Sequence, residues 1–250
     1  MTRRDPIRDF YVDNPRMVSS PFGGVDGVDG ALLRSVLARL DIDLADRDVL
    51  DVGCGRGYAG EVVRAAGGQY TGLDFVASRG GFPLVLGDAA CLPFPDACFD
   101  VAFCIDASEH FPAPERAARE VRRVLRPGGV FFLSAPNYGN VAGLVKKACE
   151  WTGACGRDTW APFGRWTPQE YERALTPWSV RRVYRAAGFG RIRAVGHARE
   201  VGLGLFPWVD HPVMPEAVRF RLQRLFNTLG PAAVRLWPGS SLHLFWRMDV

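Results

Sequence analysis

Four carboxylates stand where apolar runs give out. Asp51 lies two residues ahead of Gly53-Cys54-Gly55, Asp74 closes QYTGLD and Asp88 follows PLVLG. Asp106 ends FDVAFCID and opens DASEH, with Glu109 and His110 close behind. Glycines at 53, 55 and 57 permit a sharp turn, and they let backbone N–H groups approach a ligand because no Cβ intervenes. A carboxylate so near the turn repels a pyrophosphate and suits a cationic or zwitterionic ligand. The spacing is GxGxG, whereas dinucleotide turns use GxGxxG. Asp74 follows the turn by about 20 residues, where a carboxylate can take both hydroxyls of a ribose. His110, with an ordinary pKa of roughly 6.5, suits proton transfer at neutral pH.

These residues need strands and helices to place them, and the chain supplies both in alternation. GALLRSVLARL (30–40) has apolar residues at helical spacing. DVLDVG (48–53) predicts a strand, YAGEVVRAAG (58–67) a helix, and QYTGLD (69–74) and PLVLGD (83–88) two further strands. FDVAFCID (99–106) predicts a buried strand. PERAAREVRRVL (114–125) predicts a helix stopped by Pro127-Gly128-Gly129, and GVFFLSAP (129–136) the next strand. Such alternation predicts an α/β fold, a doubly wound and mostly parallel sheet with helices on both faces.

The later half has a different character, and every tryptophan lies at position 151 or beyond. Thr167-Pro168 and Thr176-Pro177 each pair a hydroxyl N-cap with proline at the first helical position. RIRAVGH (191–197) and SLHLFWRMDV (241–250) read as strands, and PEAVRFRLQRLFNTLG (215–230) as an amphipathic helix. The organisation expected is an arm or lid over residues 1–29, then a single domain over 30–250, with 137–182 and 198–240 as substrate-binding cap insertions. Trp151, Trp160, Phe163, Trp166, Trp178, Phe206 and Trp208 lie within or beside these insertions, which points to a planar or hydrophobic small molecule.

Composition excludes several classes. Of 250 residues 48% are hydrophobic and 23% charged, the balance of an ordinary globular domain. The net charge of +4 is spread along the chain rather than gathered into a basic patch, so a nucleic-acid partner is not expected. No segment approaches the apolar length of a membrane span, and the first residues have no apolar signal core. The six cysteines include no CxxC, so they read as small buried residues of a reducing cytoplasm rather than as disulfides or zinc ligands. A cytoplasmic monomer or homodimer with a small-molecule partner, and with neither nucleic acid nor membrane as partner, is the expectation.

VLDVGCGRGY, TGLD, GDAACLPFPDACFDVAFCIDASEHF and VRRVLRPGGVFFLSAPN, taken in order over residues 48–136, resemble the successive motifs of class I S-adenosylmethionine-dependent methyltransferases. The type is that of ubiquinone-biosynthesis and natural-product tailoring enzymes. The resemblance implies a seven-stranded Rossmann-like sheet whose last strand is antiparallel. It implies S-adenosylmethionine as cofactor, whose ammonium and sulfonium agree with the cationic ligand read from Asp51. By the same resemblance Asp51 and the backbone of Gly53, Cys54 and Gly55 contact the methionine portion, Cys54 by steric fit. Asp74 binds the ribose with Phe75 beside the adenine, and Asp88 and Ala89 read the adenine edge. Cys104, Ile105 and Asp106 lie by the methionine portion and the methyl group, while Tyr11 and Arg16 close over the cofactor from the arm.

The reaction implied is methyl transfer to oxygen or nitrogen of a small, aromatic or hydrophobic acceptor, as in secondary metabolism. Alignment of acceptor and methyl group supplies much of the acceleration, and a general base helps where the acceptor carries a proton. His110 and Asp106 are the catalytic candidates, with His197, His211 and His243 as alternative bases. Asp106, Glu109 and His110 also permit a divalent metal, although no metal is assigned. Other readings are a nucleic-acid or protein methyltransferase and a non-catalytic cofactor-binding module. An oxidoreductase on this fold would need GxGxxG, which the turn lacks.

Overall fold

Short, mostly apolar runs and stretches of period 3.6 take turns along the chain, the first condensing into strands buried on both faces and the second into helices. The computed structural model describes residues 30–76, 81–153, 173–206 and 214–250. The order is α1 (Gly30–Arg39), β1 (Asp48–Val52), α2 (Ala59–Ala65), β2 (Gln69–Asp74), β3 (Leu84–Leu86), β4 (Phe99–Ile105) and α3 (Pro114–Val124). There follow β5 (Leu125–Pro136), α4 (Val141–Thr152), α5 (Pro177–Ala186), β6 (Ile192–Gly196), α6 (Val201–Leu205), α7 (Glu216–Leu236) and β7 (His243–Asp249).

The strands form one seven-stranded sheet in the order β3-β2-β1-β4-β5-β7-β6. β2 pairs in parallel with β1 and β3, and β4 with β1 and β5. β7 runs the other way: the Val250 N–H donates to the Gly129 carbonyl at 3.0 Å, and the Asp249 N–H to that of Arg191 at 3.0 Å. The sheet is thus mostly parallel with one antiparallel strand, as expected. Strand order reverses between β1 and β4, and in open α/β sheets ligands bind beyond the carboxyl ends at such a reversal.

The chain divides into two compact units. The first comprises the described residues within 30–134, 181–193 and 246–250. Its β1 and β4 are buried over nearly their whole length, through Val49, Leu50, Val52, Ala102, Phe103 and Cys104. Phe131, Tyr184 and Phe189 form a three-ring cluster with centroids 5.3–5.8 Å apart, which fixes α5 against β5. At the amino ends of β1 and β4, Arg126 bridges Asp48 at 2.9 Å and Asp100 at 2.6 Å. Structural charge pairs therefore hold the strand ends opposite to those that carry the candidate site.

The second unit comprises the described residues within 135–180 and 194–245, and includes α4, α6 and α7. Asn137 and Asn140 donate side-chain hydrogen bonds to the carbonyls of Gly239 and Ser241. Asn140 also caps α4 by accepting from the Gly143 N–H at 2.8 Å. Buried Lys146 donates to the Tyr138 hydroxyl at 3.0 Å and lies 3.7 Å from Glu150.

Two boundaries differ from the sequence expectation. The helix predicted to stop at Gly230 continues through Pro231 to Leu236. Gly230 serves packing rather than termination: a Cβ there would come within 2.4 Å of the Ala198 carbonyl oxygen. β5 begins at Leu125, directly after α3, so Pro127-Gly128-Gly129 lies inside the strand, where its pairing with β4 is irregular. Thr176 caps α5 as predicted, its hydroxyl accepting from the Ser179 N–H at 3.2 Å. The arm over 1–29 and the helix start at Thr167-Pro168 lie outside the described residues.

Candidate active site

The carboxyl ends of β1, β2 and β4 bring together most of the residues singled out above. Asp51 and Gly72 are partners across β1 and β2, and Asp51 and Phe103 across β1 and β4. Gly53 (φ 75°), Gly55 (φ 53°) and Gly57 (φ 74°) all adopt the left-handed region in the turn that follows. The N–H groups of Gly53 and Cys54 donate to the Leu73 carbonyl at 2.8 and 3.1 Å, which folds the turn over the end of β2. A Cβ at Gly53 would stand 2.6 Å from that of Ala107. Gly53→Ala therefore meets both backbone strain and a clash, and is expected to lower stability by about 2–4 kcal/mol in thermal unfolding. Adding Ala107→Gly should recover the steric part and leave the strain. A Gly53→Ala protein as stable as wild type would contradict this geometry.

Asp74 closes the turn from the other side. One carboxylate oxygen accepts from the Gly55 N–H at 2.9 Å, the other from the Val76 N–H at 3.0 Å. Asp51 is buried, with 3% of its surface exposed. Its Oδ2 accepts from the Tyr70 hydroxyl at 2.8 Å, and its Oδ1 has no hydrogen-bond partner among the described residues. Burial is the main cause that pushes the Asp51 carboxyl from 3.8 to about 7; the Tyr70 hydrogen bond opposes the rise and the charge of Asp74 adds to it. Burial also raises Asp74, against the pull of its backbone hydrogen bonds. Two acids held near each other out of water want a cation, and an acceptor atom without a donor marks where its N–H belongs.

Sequence reasoning missed Tyr70 and Gly72, although the register could have revealed them. Residues 70, 72 and 74 share one face of β2, beside the face of β1 that carries Asp51. Gly72 opposite Asp51 leaves the space into which Tyr70 and Cys54 reach, since a Cβ there would lie 2.7 Å from Cys54 Sγ and 3.3 Å from the Tyr70 oxygen. Burial pushes the Cys54 thiol well up, and that of Cys104 too, which disfavours the thiolate form a nucleophile needs.

Cys104 is buried and Ile105 half-buried at the end of β4. Asp106 follows with φ 43°, a rare conformation for a non-glycine residue. Its N–H donates to the Ser134 carbonyl at 3.0 Å, and the Ser134 hydroxyl donates to its carboxylate. Burial is the main cause that raises both the Cys104 thiol and the Tyr184 phenol, and the charge of buried Glu109 adds to each. His110 Nε2 lies 3.9 Å from Glu109 Oε1. Among the described residues no three His, Cys, Asp or Glu side chains gather as metal ligands, so Asp106, Glu109 and His110 do not converge on one point.

Asp88 is exposed, and its carboxylate accepts from the Ala90 N–H at 2.8 Å; Ala89 is buried. The Gly87 N–H donates to the Asp74 carbonyl, which ties this loop to the end of β2. Phe75 is half-buried directly after Asp74. Tyr11, Arg16 and His211 lie outside the described residues, as do Trp160, Phe163, Trp166 and Trp208. In the second unit His243 Nδ1 lies 3.1 Å from Glu200. Burial works to raise Glu200, but His243 and hydrogen bonds from Ser241 and the His243 backbone outweigh it and hold the carboxyl low. Trp151 and Trp178 are exposed.

Residues 50–133 match the methyltransferase domain family. The chain is 31% identical to the ubiquinone biosynthesis O-methyltransferase of Chromobacterium violaceum over 163 residues, covering 59% of this chain and 66% of that protein. It is 40% identical to the fatty-acid O-methyltransferase of Mycolicibacterium smegmatis over 115 residues, covering 40% of each. The chain thus spans less than half of that second relative, and the same holds for others it matches. Among solved structures, the 1,6-didemethyltoxoflavin-N1-methyltransferase of Burkholderia thailandensis, with 1,6-didemethyltoxoflavin and S-adenosylhomocysteine bound, superposes with a TM-score of 0.56. That match covers 100% of this chain and 92% of the other at 18% identity, a likeness of fold.

Proposed function

We propose, from a chain that belongs to the class I S-adenosylmethionine-dependent methyltransferases, that it moves a methyl group from S-adenosylmethionine to an oxygen or nitrogen of a small, aromatic or hydrophobic molecule. The observation that carries this reading is the pair of buried acids at the glycine turn, Asp51 and Asp74, one of them with an oxygen left without a donor. A pyrophosphate would be repelled there, whereas a cationic amino acid tail and a ribose would each find an acceptor.

Asp51 would hold the ammonium of the methionine tail, and Gly53 and Gly55 would let it lie against the backbone. Asp74 would take the ribose hydroxyls while still accepting from Gly55 and Val76. Phe75 would cover the adenine, and Asp88 and Ala89 would meet its edge. When bound, the cofactor supplies a methyl group on a sulfonium, which needs no further activation. The protein's task is then to align the acceptor and exclude water. Asp106 and Ile105 would border that space, and Ser134 fixes the Asp106 carboxylate. Residues 137–182 and 198–240 would supply the acceptor pocket, and Tyr11 and Arg16 would cover the cofactor.

His110 would take the acceptor's proton, with Glu109 beside it to orient the ring. His110→Ala is expected to lower turnover by about a hundredfold at unchanged cofactor affinity. Undiminished turnover would remove His110 as the base. The function itself is tested by incubating the protein with S-adenosylmethionine and a panel of phenols, amines and carboxylic acids, then measuring S-adenosylhomocysteine. Acceptor-dependent product supports the reading; cofactor binding without turnover on any acceptor would make the chain a binding module instead.

A further inference from the structure

Helix α7 presents a surface that packing inside its own unit does not use. Its inner side is closed by glycines: Gly202 of α6 lies against Phe226, Gly230 lies on Ala198, and Gly230 and Val234 are its buried residues. One side carries Val218, Leu225, Leu229 and Leu236, exposed to 42, 50, 51 and 86% of their surface, while Phe220, 57% exposed, lies on the far side of the helix. At 100° per residue Val218, Leu225 and Leu229 fall within about 40° of arc and form one apolar stripe ahead of the helix-interior Pro231, with Leu236 beyond the proline. Exposed Arg221, Arg224 and Arg235 run along one flank of that stripe. The one acid of the helix, Glu216, lies on the side away from it. Trp237, 48% exposed, follows directly at the end.

An exposed apolar stripe, edged by arginines and free of acids, has the pattern of a helix that lies in a membrane interface. Its leucines enter the boundary between headgroups and chains, and its arginines meet phosphates. We propose that the outer face of α7 docks on an anionic phospholipid bilayer. Charge selects this occupant over a second copy of the chain, because the exposed Arg221, Arg224 and Arg235 beside the stripe would then face their own sign, with the helix's one glutamate on the far side. The proposal departs from the expectation that no membrane is a partner. Among the described residues no helix is long and apolar enough to cross a bilayer, but lying on one requires only a single apolar face.

The test is flotation of the full chain with phosphatidylcholine vesicles that contain phosphatidylglycerol, against vesicles of phosphatidylcholine alone. The wild-type protein is expected to float with the anionic vesicles and to be released by salt. Arg221→Gln/Arg224→Gln should lower the partition coefficient about thirtyfold, at about fivefold or slightly more per arginine. Leu225→Gln/Leu229→Gln should lower it at least as much, with an unchanged circular dichroism spectrum because both side chains already face outward. Absence of binding to anionic vesicles, or binding unaffected by both variants, overturns the proposal. So does a stable dimer that the leucine variant dissolves, since a second copy would then cover the stripe. Vesicle binding is read without cofactor or acceptor, so it fails or succeeds independently of methyl transfer.

Discussion

Replacing Asp74 with alanine is expected to weaken S-adenosylmethionine binding by about a hundredfold or more, as read by titration calorimetry. The carboxylate is buried at the end of β2, and its two oxygens already organise the turn through Gly55 and Val76. A charged acceptor in such a place contributes about 1.5–3 kcal/mol per hydrogen bond, and a ribose offers two donors. The variant also releases the two backbone N–H groups, so the turn that should meet the methionine tail loses its anchor. Asp74→Asn separates the two effects. It keeps one acceptor oxygen for the turn and loses the charge, so its affinity should fall between those of wild type and the alanine variant. An affinity unchanged in Asp74→Ala would remove the ribose assignment.

Asp51→Asn should do two opposite things. In the cofactor-free fold the Asp51 carboxyl holds its proton up to about pH 7, whereas the unfolded chain loses it near 3.8. The unfolded state therefore binds fewer protons across this interval, and stability falls as pH rises from about 4 to about 7, then levels. The gap corresponds to on the order of 4 kcal/mol that the ionised form costs the fold. Asparagine at 51 retains the acceptor for Tyr70 and abolishes this loss. The cofactor-free variant is expected to unfold at a higher temperature than wild type at pH 8 and at nearly the same temperature at pH 4. Cofactor affinity should move the other way. In the wild type it rises with pH toward about 7 as Asp51 ionises to meet a cation; in the variant it is low at every pH. A variant less stable than wild type at pH 8 would show that the carboxylate is not the burden its burial implies.

Much of the first unit was legible because its signals are local. Each strand from DVLDVG to FDVAFCID has an acid at or within two residues of its carboxyl end, and parallel pairing brings those ends to one edge. The GxGxG spacing showed the turn, and the structure gives its three glycines the positive φ that the spacing implied. What escaped depends on partners distant in sequence. Tyr70 matters because it reaches Asp51 diagonally from the neighbouring strand, and Ser134 because it meets Asp106 across β4 and β5. Glu109 reads as one more polar loop residue beside His110, yet it is turned inward toward Cys104. Gly230 resembles a helix stop and is a close contact instead, because the same missing Cβ serves both purposes. The Asn140 cap before α4 was readable by the rule that found Thr176, but its run VAGLVKKACEWT was absorbed into a cap without a helix.

The most direct measurement is a crystal structure of the protein grown with S-adenosylhomocysteine. The account predicts both ribose hydroxyls on the Asp74 carboxylate and the amino group of the homocysteine tail toward Asp51 Oδ1, over the backbone of Gly53 and Gly55. A ribose that contacts no oxygen of Asp74, or a ligand held away from the carboxyl ends of β1 and β2, would contradict it.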